Sequence, residues 1–210
     1  MDPERELVLS YAPPGARAGL AALLALDDRL RGIVRAARDP TVGLMRLTWW
    51  GDALAGLDTA PPPAEPLLAD LASSVLPAGV PGGALESVTD AWARLLEPEP
   101  VDLPRFAQER GETVFHAAAA VLDAPADPRL AQVGQGWALA GLASERPDLA
   151  ELARALAGER LRDAFRRPWP TRLRPLGALA LLARFEVAGA TRPGSPRRVT
   201  RLLSHRLTGR

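Results

Sequence analysis

The chain of 210 residues has no cysteine, which excludes disulfide staples, thiolate metal centres and cysteine nucleophiles. It has only two histidines, His116 and His205, too few for a histidine-based metal site, so zinc and triad chemistry are not expected. Lysine is absent as well: all 26 basic residues are arginine, and with the abundance of alanine, leucine, proline and glycine this reads as a GC-rich coding bias without functional content. Long hydrophobic runs are missing too. No stretch approaches the roughly 20 uninterrupted apolar residues of a spanning helix, and the opening MDPERELVLS lacks an apolar signal core. The expected location is the cytoplasm, at most peripheral to the inner membrane.

What is present suits one domain. A length of 210 residues supports a substantial core, and no stretch reads as a linker, so residues 1–210 are taken as a single unit. The near-neutral total hides an asymmetry: residues 1–159 carry 13 Arg against 23 acids, whereas residues 160–210 carry 13 Arg against only Asp163 and Glu186. An acidic body and a basic tail follow.

Apolar residues recur at helical spacing, and alternating β-branched or aromatic runs are absent, which predicts an all-α multi-helix bundle. A first helix is predicted over 16–38, with Leu20, Leu23, Leu24, Leu30 and Val34 on one stripe. Further helices are predicted over 42–57, 64–75, 84–96, 103–122, 128–143, 149–165, 175–188 and 196–207, each bounded by proline or glycine. No fixed period appears, which disfavours a solenoid.

The most unusual local feature is Arg46-Leu47-Thr48-Trp49-Trp50-Gly51-Asp52-Ala53-Leu54. Adjacent helical positions point about 100° apart, so one indole can enter the core while its neighbour lines a groove; both serving as core filler is the other reading. The run from Arg17 through Asp27-Asp28-Arg29-Leu30-Arg31-Gly32-Ile33-Val34-Arg35, then Asp39-Pro40 and Gly43 to Leu54, resembles the N-terminal part of squalene/phytoene synthases. Phe106 to Val121, Gly134-Gln-Gly-Trp-Ala-Leu-Ala-Gly-Leu142 and Arg174-Pro-Leu-Gly-Ala-Leu-Ala-Leu-Leu182 extend the likeness over most of the chain. Within that superfamily the chain looks most similar to the branch containing the complex I assembly factor. The resemblance implies a shortened isoprenoid (terpenoid) synthase fold.

Catalytic members of this family hold the diphosphates of two prenyl substrates through Mg²⁺ on two aspartate-rich helical motifs. Mg²⁺ takes hard oxygen ligands, which carboxylates at i and i+4 present from one helix face. Placed by register on the family pattern, Arg31-Gly-Ile-Val-Arg35 stands where the first motif's carboxylates are expected. Asp27 and Asp28 lie nearly a turn upstream, and no carboxylate follows within ten positions. Asp27 with Arg31 (i,i+4) and Asp28 with Arg31 (i,i+3) have helix ion-pair spacing; the competing role is a metal-free anion site built on the arginines. In the second motif Gly141, Ser144, Glu145 and Leu149 replace the expected Asn, Arg, Asp and Asp, so only Glu145 keeps a carboxylate.

His116 lies in the apolar run Val114 to Val121 without a second ligand at i+3 or i+4, and is read as helix packing. Asp90, Glu109 and Glu112 are read as surface charges with ordinary pKa values. In the basic tail, Ser195-Pro196 starts a helix whose Val199, Leu202, Leu203 and Leu207 form an apolar stripe flanked by Arg197, Arg198, Arg201 and Arg206. It suits an anionic membrane or partner surface, and equally this chain's own acidic body. No nucleic-acid partner is expected, because no aromatic-interleaved basic motif appears.

The functional expectation is a non-catalytic binding or assembly protein, of the complex I assembly kind that the resemblance implies. The rivals are an active prenyltransferase condensing farnesyl or geranylgeranyl diphosphate with Mg²⁺, and a membrane-surface module for lipid or polyprenyl phosphate. Candidate ligand contacts are Arg17, Asp27, Asp28, Arg31, Arg35, Trp50 and Glu145. No catalytic residue, metal ligand or cofactor is assigned.

Overall fold

The computed structural model describes residues 3–189 and 191–210. Among them there is helix and no strand. The chain begins with a short helix, α1 (Pro3–Leu9), and a long one, α2 (Pro14–Ala36). Pro14 occupies the first turn of α2, where its missing N–H costs nothing. Helix α3 (Pro40–Gly56) repeats the device and adds a cap, the Asp39 carboxylate accepting from the Thr41 N–H at 2.8 Å.

Helix α4 (Pro66–Ser74) is capped by Glu65, and α5 (Gly82–Ala93) from a distance: Asp58 accepts from the Gly82 and Gly83 N–H groups at 2.6 and 2.9 Å. The stretch predicted as one helix over 103–122 is instead α6 (Leu103–Ala107), a π turn over Gln108–Glu112, and α7 (Thr113–Val121). The remaining helices are α8 (Arg129–Glu145), α9 (Ala150–Leu161), α10 (Arg174–Ala188) and α11 (Pro196–Thr208).

Two helices organise the core. Helix α2 packs on α3, α4, α5 and α7 and buries Leu20, Leu23, Leu24, Leu26 and Leu30; α8 packs on α9, α10 and the π turn. The π turn and α8 meet glycine to glycine. A Cβ on Gly111 would strike the Gly134 carbonyl, and one on Gly134 would strike Gly111. Only bare backbone permits this approach.

Helix α11 docks on the body through Leu202, Arg198 and His205, all buried. Arg198 reaches Glu4 at 2.9 Å and Glu186 at 2.7 Å, tying α11 to α1 and α10. The Tyr11 hydroxyl donates to the Leu202 carbonyl at 2.6 Å, and burial pushes its pKa up to about 12, against the opposing pull of Arg206. His205 lies beside Phe165 and Tyr11, with Nε2 donating to the Arg174 carbonyl at 3.0 Å. Burial lowers its pKa below the usual 6.5, outweighing the backbone hydrogen bonds at Arg174 and Arg210 that raise it, and the Arg174 and Arg201 charges push the same way as burial. The folded state thus holds a neutral ring, whereas the unfolded chain takes up a proton below about pH 6.5. Stability from this contact is complete above that pH and falls as pH drops through it. Denaturant unfolding between about pH 7 and pH 5 should show this loss in the native chain, and His205→Gln should flatten the slope.

Candidate functional site

The site grows from two charged residues that occupy apolar stripes. On α2 the buried positions include Leu20, Leu23, Asp27 and Leu30, and along α6, the π turn and the start of α7 they include Leu103, Phe106, Arg110 and Val114. The π turn carries an extra residue per turn and sets Arg110 opposite Asp27, which lies 83 positions away in sequence.

The pair is bidentate. Arg110 Nε donates to Asp27 Oδ1 at 2.7 Å and its Nη2 to Oδ2 at 2.8 Å. Trp92 Nε1 donates to the same Oδ1 at 3.0 Å, and Arg110 Nη1 to the Ala138 carbonyl at 2.9 Å. The guanidinium lies between the Trp92 and Trp137 rings, 4.6 and 4.5 Å from their centroids, with Phe106 at 5.8 Å. A Cβ on Gly141 would sit 3.2 Å from Arg110 Nη1, so the glycine gives the guanidinium its room. Asp27 and Arg110 are 3% and 2% exposed. Burial raises the Asp27 pKa, but the Arg110 charge, with hydrogen bonds from Arg110 and Trp92, outweighs it and holds the carboxyl below its usual 3.8.

Above this pair lies a cavity of about 250 Å³, walled by α1, α2, α8, α10 and the start of α11. Its charged lining is balanced: Arg5, Arg31, Arg110 and Arg198 against Glu4, Asp27, Asp28 and Glu186. Asp28 is clamped between Arg5 and Arg31. At the end of α8, Glu145 faces α2 and lies 3.8 Å from Arg31 and 3.4 Å from Arg35. The fold therefore brings together the residues that register assigns to the two motifs, Arg31 and Arg35 against Glu145, as guanidinium against carboxylate.

This donor set does not fit Mg²⁺. A magnesium site needs hard oxygen donors converging at one point, whereas Asp27 and Asp28 already accept from arginine and Glu145 lies in ion pairs with Arg31 and Arg35. No group of three or more acidic or histidine side chains converges among the described residues. Of the second-motif positions, Ser144 is exposed and Leu149 packs against the core.

Several sequence expectations resolve differently. Asp27 pairs with Arg110 instead of Arg31, while the expected Asp28–Arg31 pair forms. Arg17 donates to the Leu9 and Ala12 carbonyls at 3.2 and 3.3 Å and does not line the cavity. Trp50 is the core indole, beneath the Arg29 guanidinium, and Trp49 is the exposed one. His116 is exposed on the rim of an open groove with Glu109 and Glu112, so it is not packing. Glu109 accepts from Arg94 at 2.7 and 2.8 Å and from Arg105 at 2.8 Å; partial burial raises its pKa, but these bonds bring it below normal. Asp90 is raised by burial and by Glu109. Arg198, read as a membrane or partner contact, is buried in ion pairs, whereas Arg197, Arg201 and Arg206 stay exposed.

Sequence reading missed Arg110, Trp92, Trp137 and Glu4. The usable signal was a charge inside an apolar heptad-like stripe, seen at Asp27 and at Arg110.

Comparison with known proteins agrees with this architecture. The family model for squalene/phytoene synthase matches residues 1–157 of the chain. No curated protein and no solved structure matches it. With most of the chain inside that match, and an all-helical bundle built around it, the chain belongs to the squalene/phytoene synthase family.

Proposed function

We propose that this chain is a non-catalytic family member that acts by binding, as an assembly or adaptor protein. The observation carrying this reading is the pairing of Arg31 and Arg35 with Glu145 at the two motif positions. Ionising a prenyl diphosphate requires charge stabilisation at the leaving group. Here the carboxylates that could gather metal are neutralised by arginine, and the cavity's four cations are matched by four anions. The same network favours a structural role for Asp27, Asp28 and Arg31. Its ion pairs tie α2 to α1, the π turn and α8.

The resemblance of the α2–α3 region to the complex I assembly branch supports a respiratory-complex subunit as the protein partner and a place on the cytoplasmic side of the inner membrane. No cofactor forms part of this reading. Incubating the purified chain with farnesyl or geranylgeranyl diphosphate and Mg²⁺ should release no diphosphate above background. Turnover of roughly 1 s⁻¹ or faster would overturn the reading in favour of a prenyltransferase.

A further inference from the structure

Three of the six large hydrophobic side chains exposed among the described residues fall within eight positions of α3: Val42, Met45 and Trp49, at 45%, 68% and 48% exposure. Their i, i+3, i+7 spacing puts them on one face. The opposite face of the helix, with Leu47, Trp50 and Leu54, is buried. Trp49 meets Trp50 edge-on, centroids 5.5 Å apart, so the exposed indole is held by the buried one.

Arg38 and Arg46 flank the stripe, both exposed and without an ion pair among the described residues. The nearby acids are Asp39, which caps the Thr41 N–H, Asp52 at the far end, and Asp28, Glu65 and Asp70, which share an open groove with Arg46; of these, Asp28 pairs with Arg5 and Arg31, and Glu65 with Arg29.

We propose that this α3 face docks on an anionic lipid surface, whether or not the chain is catalytic. An amphipathic indole and two neighbouring apolar side chains, rimmed by unpaired arginines, match the boundary between headgroups and acyl chains. The charge complements anionic lipid. Size argues against a protein partner here. The exposed parts of three side chains amount to roughly a few hundred Å², within the range of an ordinary monomer's largest patch. A stable protein interface needs about 800 Å² per partner. The basic stripe of α11 also exposes Leu203 and Leu207 beside Arg197, Arg201 and Arg206, but it offers no aromatic anchor, and its Arg198 and Leu202 are buried against the body.

The test is sedimentation of the full chain with vesicles of phosphatidylcholine alone and of equal parts phosphatidylcholine and phosphatidylglycerol. Binding is expected only to the anionic vesicles, weakening with salt and accompanied by a blue shift of tryptophan emission. Arg38→Gln with Arg46→Gln should weaken it roughly 30-fold, and the paired lysine substitutions should retain most of it. Trp49→Ser should abolish the blue shift. Thermal melting of each variant should match the native chain, since exposed positions are altered. An Arg197→Gln, Arg201→Gln variant should bind as the native chain does. The proposal is overturned if anionic vesicles do not bind the chain, or if the α3 variants bind like the native chain. A dimer that dissociates on Trp49→Ser would also overturn it, by making this face a protein contact.

Discussion

Replacing Asp27 with Ala should remove about 3–5 kcal/mol of unfolding free energy, because it leaves the Arg110 guanidinium buried without its counter-charge. In a chain of this length that lowers the melting temperature by roughly 6–20 °C. Arg110→Met should cost a similar amount by stranding the carboxylate. The double variant Asp27→Leu, Arg110→Met should recover much of either loss, since two apolar groups replace two charges of matching burial. Denaturant unfolding of the native chain, Asp27→Leu, Arg110→Met and the double variant closes the cycle and gives the coupling energy directly. If the single substitutions each cost less than about 1 kcal/mol, the ordinary range of exposed pairs, the pair does not hold the bundle together. The pair also sets an acid limit. Because the folded-state pKa of Asp27 lies below its ordinary 3.8, the pair's contribution is whole above that pH and is lost as pH falls through the lowered value.

The second large effect concerns Gly111. An added Cβ meets the backbone of Gly134 and Gln135, which cannot swing aside as a side chain can. The π turn and α8 would have to separate, moving Arg110 off Asp27 as they do so. Overpacking ordinarily costs about 1–3 kcal/mol, and Gly111→Ala should reach at least the top of that range. Gly32→Ala is the matched control, since nothing lies within 4 Å of its added Cβ on α2. There the helix should gain about 0.5–1 kcal/mol. Equal melting temperatures for the two variants would mean that the close approach is not what sets the position of the π turn.

Both effects lie where sequence reading was weakest. The helices were legible because proline and glycine punctuate them: Pro14, Pro40, Pro66 and Pro196 each stand in a first turn, and the predicted spans differ from the observed ones by a few residues. Helix α1 was not legible. Seven residues are too few to form a helix alone, and this one is held by Glu4 on Arg198 and Arg5 on Asp28. Nor was the π turn, because the apolar periodicity of 103–122 is continuous across it.

The site followed the same division. Register on the family pattern placed Arg31, Arg35 and Glu145 at the motif positions, and the structure brings them face to face. Local spacing then offered Arg31 as the partner of Asp27, and only tertiary packing supplies Arg110. Adjacent tryptophans left open whether one or both enter the core, with Trp50 the candidate ligand contact. Trp50 faces in because it shares its face with Leu47 and Leu54, leaving Trp49 with Met45 and Val42.

Arginine in place of a carboxylate cage is a statement about binding before it is one about catalysis. Melting the full chain with Mg²⁺ and inorganic diphosphate, separately and together, tests it most directly, because a ligand specific for the folded state raises the melting temperature in proportion to its saturation. The network of Arg31, Arg35, Glu145 and Asp27 predicts no shift with Mg²⁺ and no added shift when diphosphate is present. A saturable rise that needs both ions together would contradict it.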